Sequence, residues 1–91
     1  MPGILKRMPV SLLKIDKSFI RDIAVYPHDR AGVEAVNAIG HSMDIAVLAE
    51  GVENEDQLAL AEAAGCDYVQ GFLVGEPMPP ETLLAAMSSR R

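Results

Sequence analysis

The sequence has one cysteine, no tryptophan, two tyrosines and two phenylalanines in 91 residues. A single Cys66 permits no intrachain disulfide, and no Cys or His spacing of the metal-binding kind appears, so disulfide-stapled and zinc-ribbon scaffolds are set aside. Next to Gly65 at an expected helix end, Cys66 reads as a buried thiol in a reducing compartment. Basic charge is also scarce: eight Lys and Arg stand against thirteen Asp and Glu, for a net charge of −5. The basic residues sit mostly toward the two ends (Lys6, Arg7, Lys14, Lys17, Arg90, Arg91) and form no stripe with interleaved aromatics. Polymeric nucleic acid, whose affinity rests on phosphate neutralisation, is therefore a poor fit as partner. A mononucleotide or dinucleotide stays open, because metal ions can hold such a ligand in an acidic site. Long apolar runs are missing too: the run after Lys6 and Arg7 is broken by Lys14 and Asp16, too short for a signal peptide or a membrane span. A cytoplasmic segment is expected.

What is present is a core. The hydrophobic fraction is 49% and the charged fraction 23%, the balance of folded proteins rather than disordered ones. A chain of this length suffices for one small domain, burying about 60–65% of its unfolded surface.

Three times the sequence passes from a short aliphatic run to a polar residue and then to a helical pattern, which is the βα unit. The first unit predicts a strand from Val10 to Ile15, a loop with a short helical turn over Lys17 to Tyr26, and a helix over Asp29 to Met43. Val33, Val36, Ile39 and Met43 form the inward stripe of that helix. The second predicts a strand from Ile45 to Ala49 and a helix capped by Asn54, with Gln57 three residues on as a capping-box variant and Gly65 at the C′ position. The third predicts a strand from Tyr68 to Leu73, a loop from Gly75 to Pro80 and a helix over Glu81 to Ser88, with Leu83, Leu84 and Met87 inward. Apolar strands alternating with helices imply a parallel sheet covered by helices. Both an open doubly wound sheet and a barrel satisfy this. A (β/α)₈ barrel spends about 30 residues per unit, so three units here match three-eighths of one.

In either architecture chemistry gathers at the C-terminal strand ends. Lys14 ends the first strand, Glu50 follows the second and Gln70 sits in the third, so a cation, a carboxylate and an amide converge on one rim. Alternation puts Lys14 and Asp16 on one face and Ile15 on the other. Each has a plain structural alternative. Lys14 can reach into solvent, Asp16 can cap the turn through Ser18 and Phe19, and Glu53 can favour the dipole of the helix that follows it. Gln70-Gly71 can be ordinary strand packing. Glu50 between Ala49 and Gly51 is expected to be half buried, where a lone carboxylate is costly and a lysine or metal would relieve it. His28 and His41 read as exposed, and the methionines as packing residues.

Taken together, Lys14-Ile15-Asp16-Lys17-Ser18-Phe19, Ala49-Glu50-Gly51-Val52-Glu53 and Gln70-Gly71-Phe72 closely resemble the EAL-domain family in order and spacing, from about Ile4 to Ser88. The resemblance implies a partial (β/α)₈ TIM-type barrel, its three parallel βα units corresponding to strands 6 to 8. It implies hydrolysis of cyclic di-GMP to linear pGpG with two divalent ions, Mg²⁺ or Mn²⁺. By position, Lys14 resembles the lysine that meets the attacking water, Glu50 a carboxylate serving the metal pair, Gln70 a residue orienting water or ligand, and Glu53 the second acid of its loop, with Asp16 beside them. The family's Glu-Ala-Leu segment, an Asn and a Glu of middle strands and the aspartate pair of DDFGTG belong upstream of Ile4. In the last loop, Gly75-Glu76-Pro77 stands where a small and a basic residue more often precede the proline.

The expectation is thus residues 1–91 as the C-terminal part of a truncated EAL domain lacking five βα units, inactive alone. The alternative is a degenerate, non-catalytic EAL module for nucleotide sensing or protein interaction. Unpaired sheet edges predict self-association, and a GGDEF or sensor domain is a candidate upstream neighbour.

Overall fold

Leu12-Leu13-Lys14-Ile15 is too short to bury itself and becomes a strand only by lying against a second one. The computed structural model, which describes residues 11–71 and 74–88, pairs it in parallel with the apolar run around Val47 and Leu48. The order is β1 (Leu12–Ile15), α1 (Lys17–Arg21), α2 (Pro27–Ser42), β2 (Ala46–Val52), α3 (Glu55–Ala63), β3 (Tyr68–Gly71), β4 (Val74–Met78) and α4 (Pro80–Ser88). The sheet runs β1-β2-β3-β4, with the first three strands parallel and β4 antiparallel to β3.

The three parallel strands and their helices come in the order the pattern predicts. Val10 and Leu73, the expected outer limits of the first and third strands, lie outside the described residues. One segment differs. The stretch expected as a loop, Gly75 to Pro80, contains β4, which folds back on β3 through the pairs Gly71↔Val74 and Val69↔Met78. Gly75 and Pro77 look like strand breakers, yet proline is tolerated on an edge strand, where its missing N–H leaves no ladder bond unmade. The sheet is therefore four-stranded and mixed rather than three-stranded and parallel.

The core lies between one face of the sheet and the helices: Ile15, Val47, Ala49, Val52 and Val69 from the strands meet Ile20, Val33, Leu58 and Leu83 from the helices. Full burial of each such Val, Leu or Ile contributes about 1.5–3 kcal/mol. Leu84 and Met87 pack partly buried against this cluster, as expected of α4.

Helix α2 corrects its expected stripe. It starts at Pro27, where proline suits the first turn, two residues before the expected Asp29. Its buried positions are Val33, Asn37 and Gly40, whereas Ile39 is 56% and Met43 62% exposed. The cause is Gly40. A Cβ there would stand 2.7 Å from Val47 Cγ2 and 3.2 Å from the Ile45 carbonyl, so the helix seats its glycine on β2. Asn37 fits the same face by donating to the Ala64 carbonyl (2.9 Å) and to Cys66 Sγ (3.3 Å).

Helix α3 ends as its sequence dictates. Gly65 takes φ 103°, its N–H donates to the Glu62 carbonyl, and the Cys66 N–H donates to that of Ala61. These two bonds complete a Schellman close. At the other end the Asn54 side chain accepts from the Gln57 N–H (2.8 Å). The Gln57 side chain accepts from the Glu53 N–H (2.6 Å), one residue ahead of the cap.

Candidate functional site

The C-terminal ends of β1, β2 and β3 make the rim on which the sequence places its candidate residues. Lys14 is paired with Leu48 across β1 and β2, which leaves Glu50 two residues further along the neighbouring strand. Strand β2 does not stop at Ala49 as expected but runs on to Val52, because it carries a bulge. Ala49 pairs with Val69 and Val52 with Gly71, three steps on one strand against two on the other. Ala49 and Val52 would face opposite sides of a regular strand, yet both are buried in the core. Glu50 lies two residues beyond Leu48 and so shares the face of Lys14 by plain alternation, while the extra residue resets the phase after it and returns Val52 to the core.

Two glycines make this backbone possible. Gly51 has φ 75°, and a Cβ on it would overlap Lys17 Cβ and stand 3.3 Å from Lys17 Cα. Gly71 has φ 122°, and a Cβ there would lie 2.8 Å from both the N and the O of Val52. Both conformations favour glycine, and both glycines face a neighbour too close for a side chain.

The side chains fall into two sets. Lys14 Nζ is 3.9 Å from Glu50 Oε2, with Lys14 largely exposed and Glu50 half buried, so of the two partners the sequence leaves open for the carboxylate, a lysine or a metal, a lysine stands beside it. The Gln70 and Asp16 side chains are engaged locally, and Glu53 is held through its backbone N–H. Gln70 Nε2 donates to the Gly75 carbonyl at 3.1 Å, bracing the β3–β4 hairpin. Asp16 is the N-cap of α1, its carboxylate accepting from the Ser18 N–H at 2.9 Å. Hydrogen bonds from the Ser18 hydroxyl and amide hold that carboxyl below its ordinary pKa, and Lys17 and Arg21 add to the effect. Glu53 is exposed at the start of the α3 loop and shares a hollow of about 170 Å³ with Lys17, Arg21 and Gly51.

Lys17, Arg21, Gly51 and Gln57 were not singled out as site residues by sequence. The signal available for Gly51 was its position directly after the strand-end carboxylate. At the opposite end of the sheet, His41 Nε2 is 2.7 Å from Asp67 Oδ2, which also accepts from the Val47 N–H at 2.8 Å. This pair ties α2 to β2 and stands apart from the rim. His28 is exposed, as expected.

Hard divalent ions take six or more oxygen ligands or near-ideal octahedra. Among the described residues no group of three or more His, Cys, Asp or Glu is placed to hold a metal, and the nearest charged neighbour found for Glu50 is a cation. The side chains described here do not by themselves fit a pair of Mg²⁺ or Mn²⁺ ions.

Residues 3–77 match the family model of the EAL domain. The chain is 46% identical over 84 residues to the bifunctional diguanylate cyclase/cyclic di-GMP phosphodiesterase MucR of Pseudomonas aeruginosa, which covers 92% of this chain and 12% of that protein. It superposes on the solved PaMucR phosphodiesterase in complex with c-di-GMP with a TM-score of 0.66 and 47% identity, over 87% of this chain and 32% of that one. The EAL domain of Mycobacterium smegmatis DcpA matches with a TM-score of 0.66 and 34% identity, over 98% and 40% respectively. The chain spans about an eighth of the curated relative and a third or so of the solved domains, which makes its three βα units a part of a TIM-type barrel. With sequence and structure agreeing over most of its length, the chain belongs to the EAL domain family.

Proposed function

We propose that this chain supplies the Lys14–Glu50–Gln70 rim of a cyclic di-GMP phosphodiesterase that yields linear pGpG. The observation that carries the reading is the Lys14–Glu50 pair at the C-terminal rim, brought together by the register of the two parallel strands. In this reading Lys14 brings a cation to the scissile phosphate and the attacking water. Glu50 is one of the carboxylates serving two Mg²⁺ or Mn²⁺ ions, whose other oxygen donors lie outside this sequence. Gln70 orients ligand or water, and Asp16 and Glu53 organise the loops that carry the rim.

The isolated chain is inactive in this reading, because one carboxylate beside a lysine cannot hold two such ions. Incubating the pure chain with cyclic di-GMP and Mg²⁺ or Mn²⁺ should give no pGpG. A chimera tests the positive half: this chain replaces the matching segment of the PaMucR phosphodiesterase domain. Turnover in the chimera, lost on Lys14→Ala or Glu50→Ala, supports the reading, and a folded chimera indifferent to both substitutions overturns it. One other reading is a non-catalytic EAL module. That module would bind cyclic di-GMP without metal, which calorimetric titration of the isolated chain distinguishes.

Among the described residues the β1 edge is the open side of the sheet, since β4 at the other edge carries Pro77. Self-association of the isolated chain through β1 follows, and a monodisperse monomer in light scattering would contradict it. A GGDEF or sensor domain upstream suits relatives far longer than this segment. A cytoplasmic setting suits a chain in which no helix among the described residues is long and apolar enough to cross a membrane.

A further inference from the structure

We infer that Gln57 is a positioning residue that fixes the α1 segment following Lys14 to the loop following Glu50. It is 4% exposed, one of two buried polar residues in the described structure, and it sits on a helix whose other buried positions are apolar. Its backbone N–H serves the Asn54 cap. Its side chain does something a cap does not require, reaching in two directions at once. Oε1 accepts from the Glu53 N–H at 2.6 Å, in the loop that continues from Glu50 and Gly51. Nε2 donates to the Arg21 carbonyl at 3.3 Å, at the last residue of α1. That carbonyl is one of those a helix end leaves without an intrahelical partner.

Helix α1 begins directly after Asp16, two residues past Lys14, so its placement bears on where β1 delivers the lysine. One end of α1 is seated by the contact of Lys17 with Gly51, and the other is held by the Gln57 amide. Five residues of helix cannot hold themselves in place, because nucleation consumes more order than so few bonds return. A buried amide with both ends engaged is a rigid spacer, and removing it strands a buried donor and a buried acceptor. The consequence for catalysis rests on the phosphodiesterase reading, but the geometric claim does not.

The test uses the full 91-residue chain, isotopically labelled, with Gln57→Leu, Gln57→Glu and a control core variant, Val33→Ala. Gln57→Leu should speed exchange of the Glu53 amide about tenfold relative to that of Val47, and weaken the proton–proton contact between Lys17 and Gly51. Gln57→Glu at neutral pH can still accept from Glu53 but cannot donate to Arg21. It should keep the Glu53 amide protected while losing the Lys17–Gly51 contact. Val33→Ala should lower overall stability and move neither local signal. Gln57→Leu leaving both signals in place, or Val33→Ala shifting them equally, overturns the inference. If Gln57→Leu does not fold, Gln57→Glu decides alone, and a retained Lys17–Gly51 contact overturns it. No readout needs turnover, so this inference and the phosphodiesterase reading can fail separately.

Discussion

Lys14 Nζ stands 3.9 Å from Glu50 Oε2 on adjacent parallel strands, with side chains 62% and 35% exposed. At that exposure solvent screens the pair, which is worth about 0–1 kcal/mol to folding. Lys14→Met or Glu50→Gln should therefore shift the free energy of urea unfolding by less than about 1 kcal/mol. In the chimera described above, the same substitutions should cut turnover about a hundredfold or more if the rim stabilises developing charge. A large stability loss with turnover intact would make the pair structural.

The glycines of the rim should be far less tolerant. Gly71→Ala forces a left-handed conformation on alanine and drives a methyl into the Val52 backbone, for a loss of about 1–3 kcal/mol or more. Gly51→Ala meets the same conformational cost and pushes α1 away through Lys17. Gly75 has open space around its Cβ position, so Gly75→Ala should stay within about 0.5 kcal/mol of the parent. Denaturation midpoints of the three variants check the order.

Cys66 should be inert in the folded chain. Burial pushes its thiol above the ordinary value and Asp67 adds to this, against a smaller opposing effect of the Asn37 hydrogen bond. Since the thiolate is the nucleophile, labelling by an aromatic disulfide reagent should be slow in buffer and speed up with denaturant in step with unfolding. Rapid labelling in buffer would contradict the described packing.

Acid should loosen α1. The Asp16 carboxyl is held below its ordinary value of 3.8, so the unfolded chain binds that proton more readily than the folded one. The stability it contributes is fully present above pH 3.8 and is lost as pH falls through the folded-state value. Asp16→Asn keeps a capping oxygen without the charge. It should flatten the change in thermal stability that the parent shows between about pH 5 and pH 2. Equal slopes for the two chains would refute this.

The order of elements was legible because each unit carries its own punctuation. Asn54 caps α3, Gly65 closes it, and apolar runs near Val47 and Val69 have the length of buried strands. The rim was legible in part. Lys14 and Glu50 come together because they share one face of parallel neighbours in register. Asp16 caps α1 through Ser18 as its position suggests, whereas the bonds from Gln70 to Gly75 and from the Glu53 N–H to Gln57 are not disclosed by residue type. The α2 face was misjudged because apolar periodicity gives weight to Ile39 and Met43 and none to Gly40, although a missing side chain is what lets the helix approach. Strand β4 was hidden by Gly75 and Pro77, whose meaning reverses at an edge. Gln57 was visible as a cap residue, but its bond to Arg21 joins positions 36 apart in sequence, beyond any local pattern.

The contrast between the two sheet edges limits what the isolated chain can build. β4 carries a proline and the parallel edge at β1 carries none, so strands can be added on one side only. Two copies meeting edge to edge at β1 would leave a proline-bearing strand on each outer border. Under the self-association proposed above, growth would stop at a closed pair, and a chain with an open sheet edge would not seed a fibre.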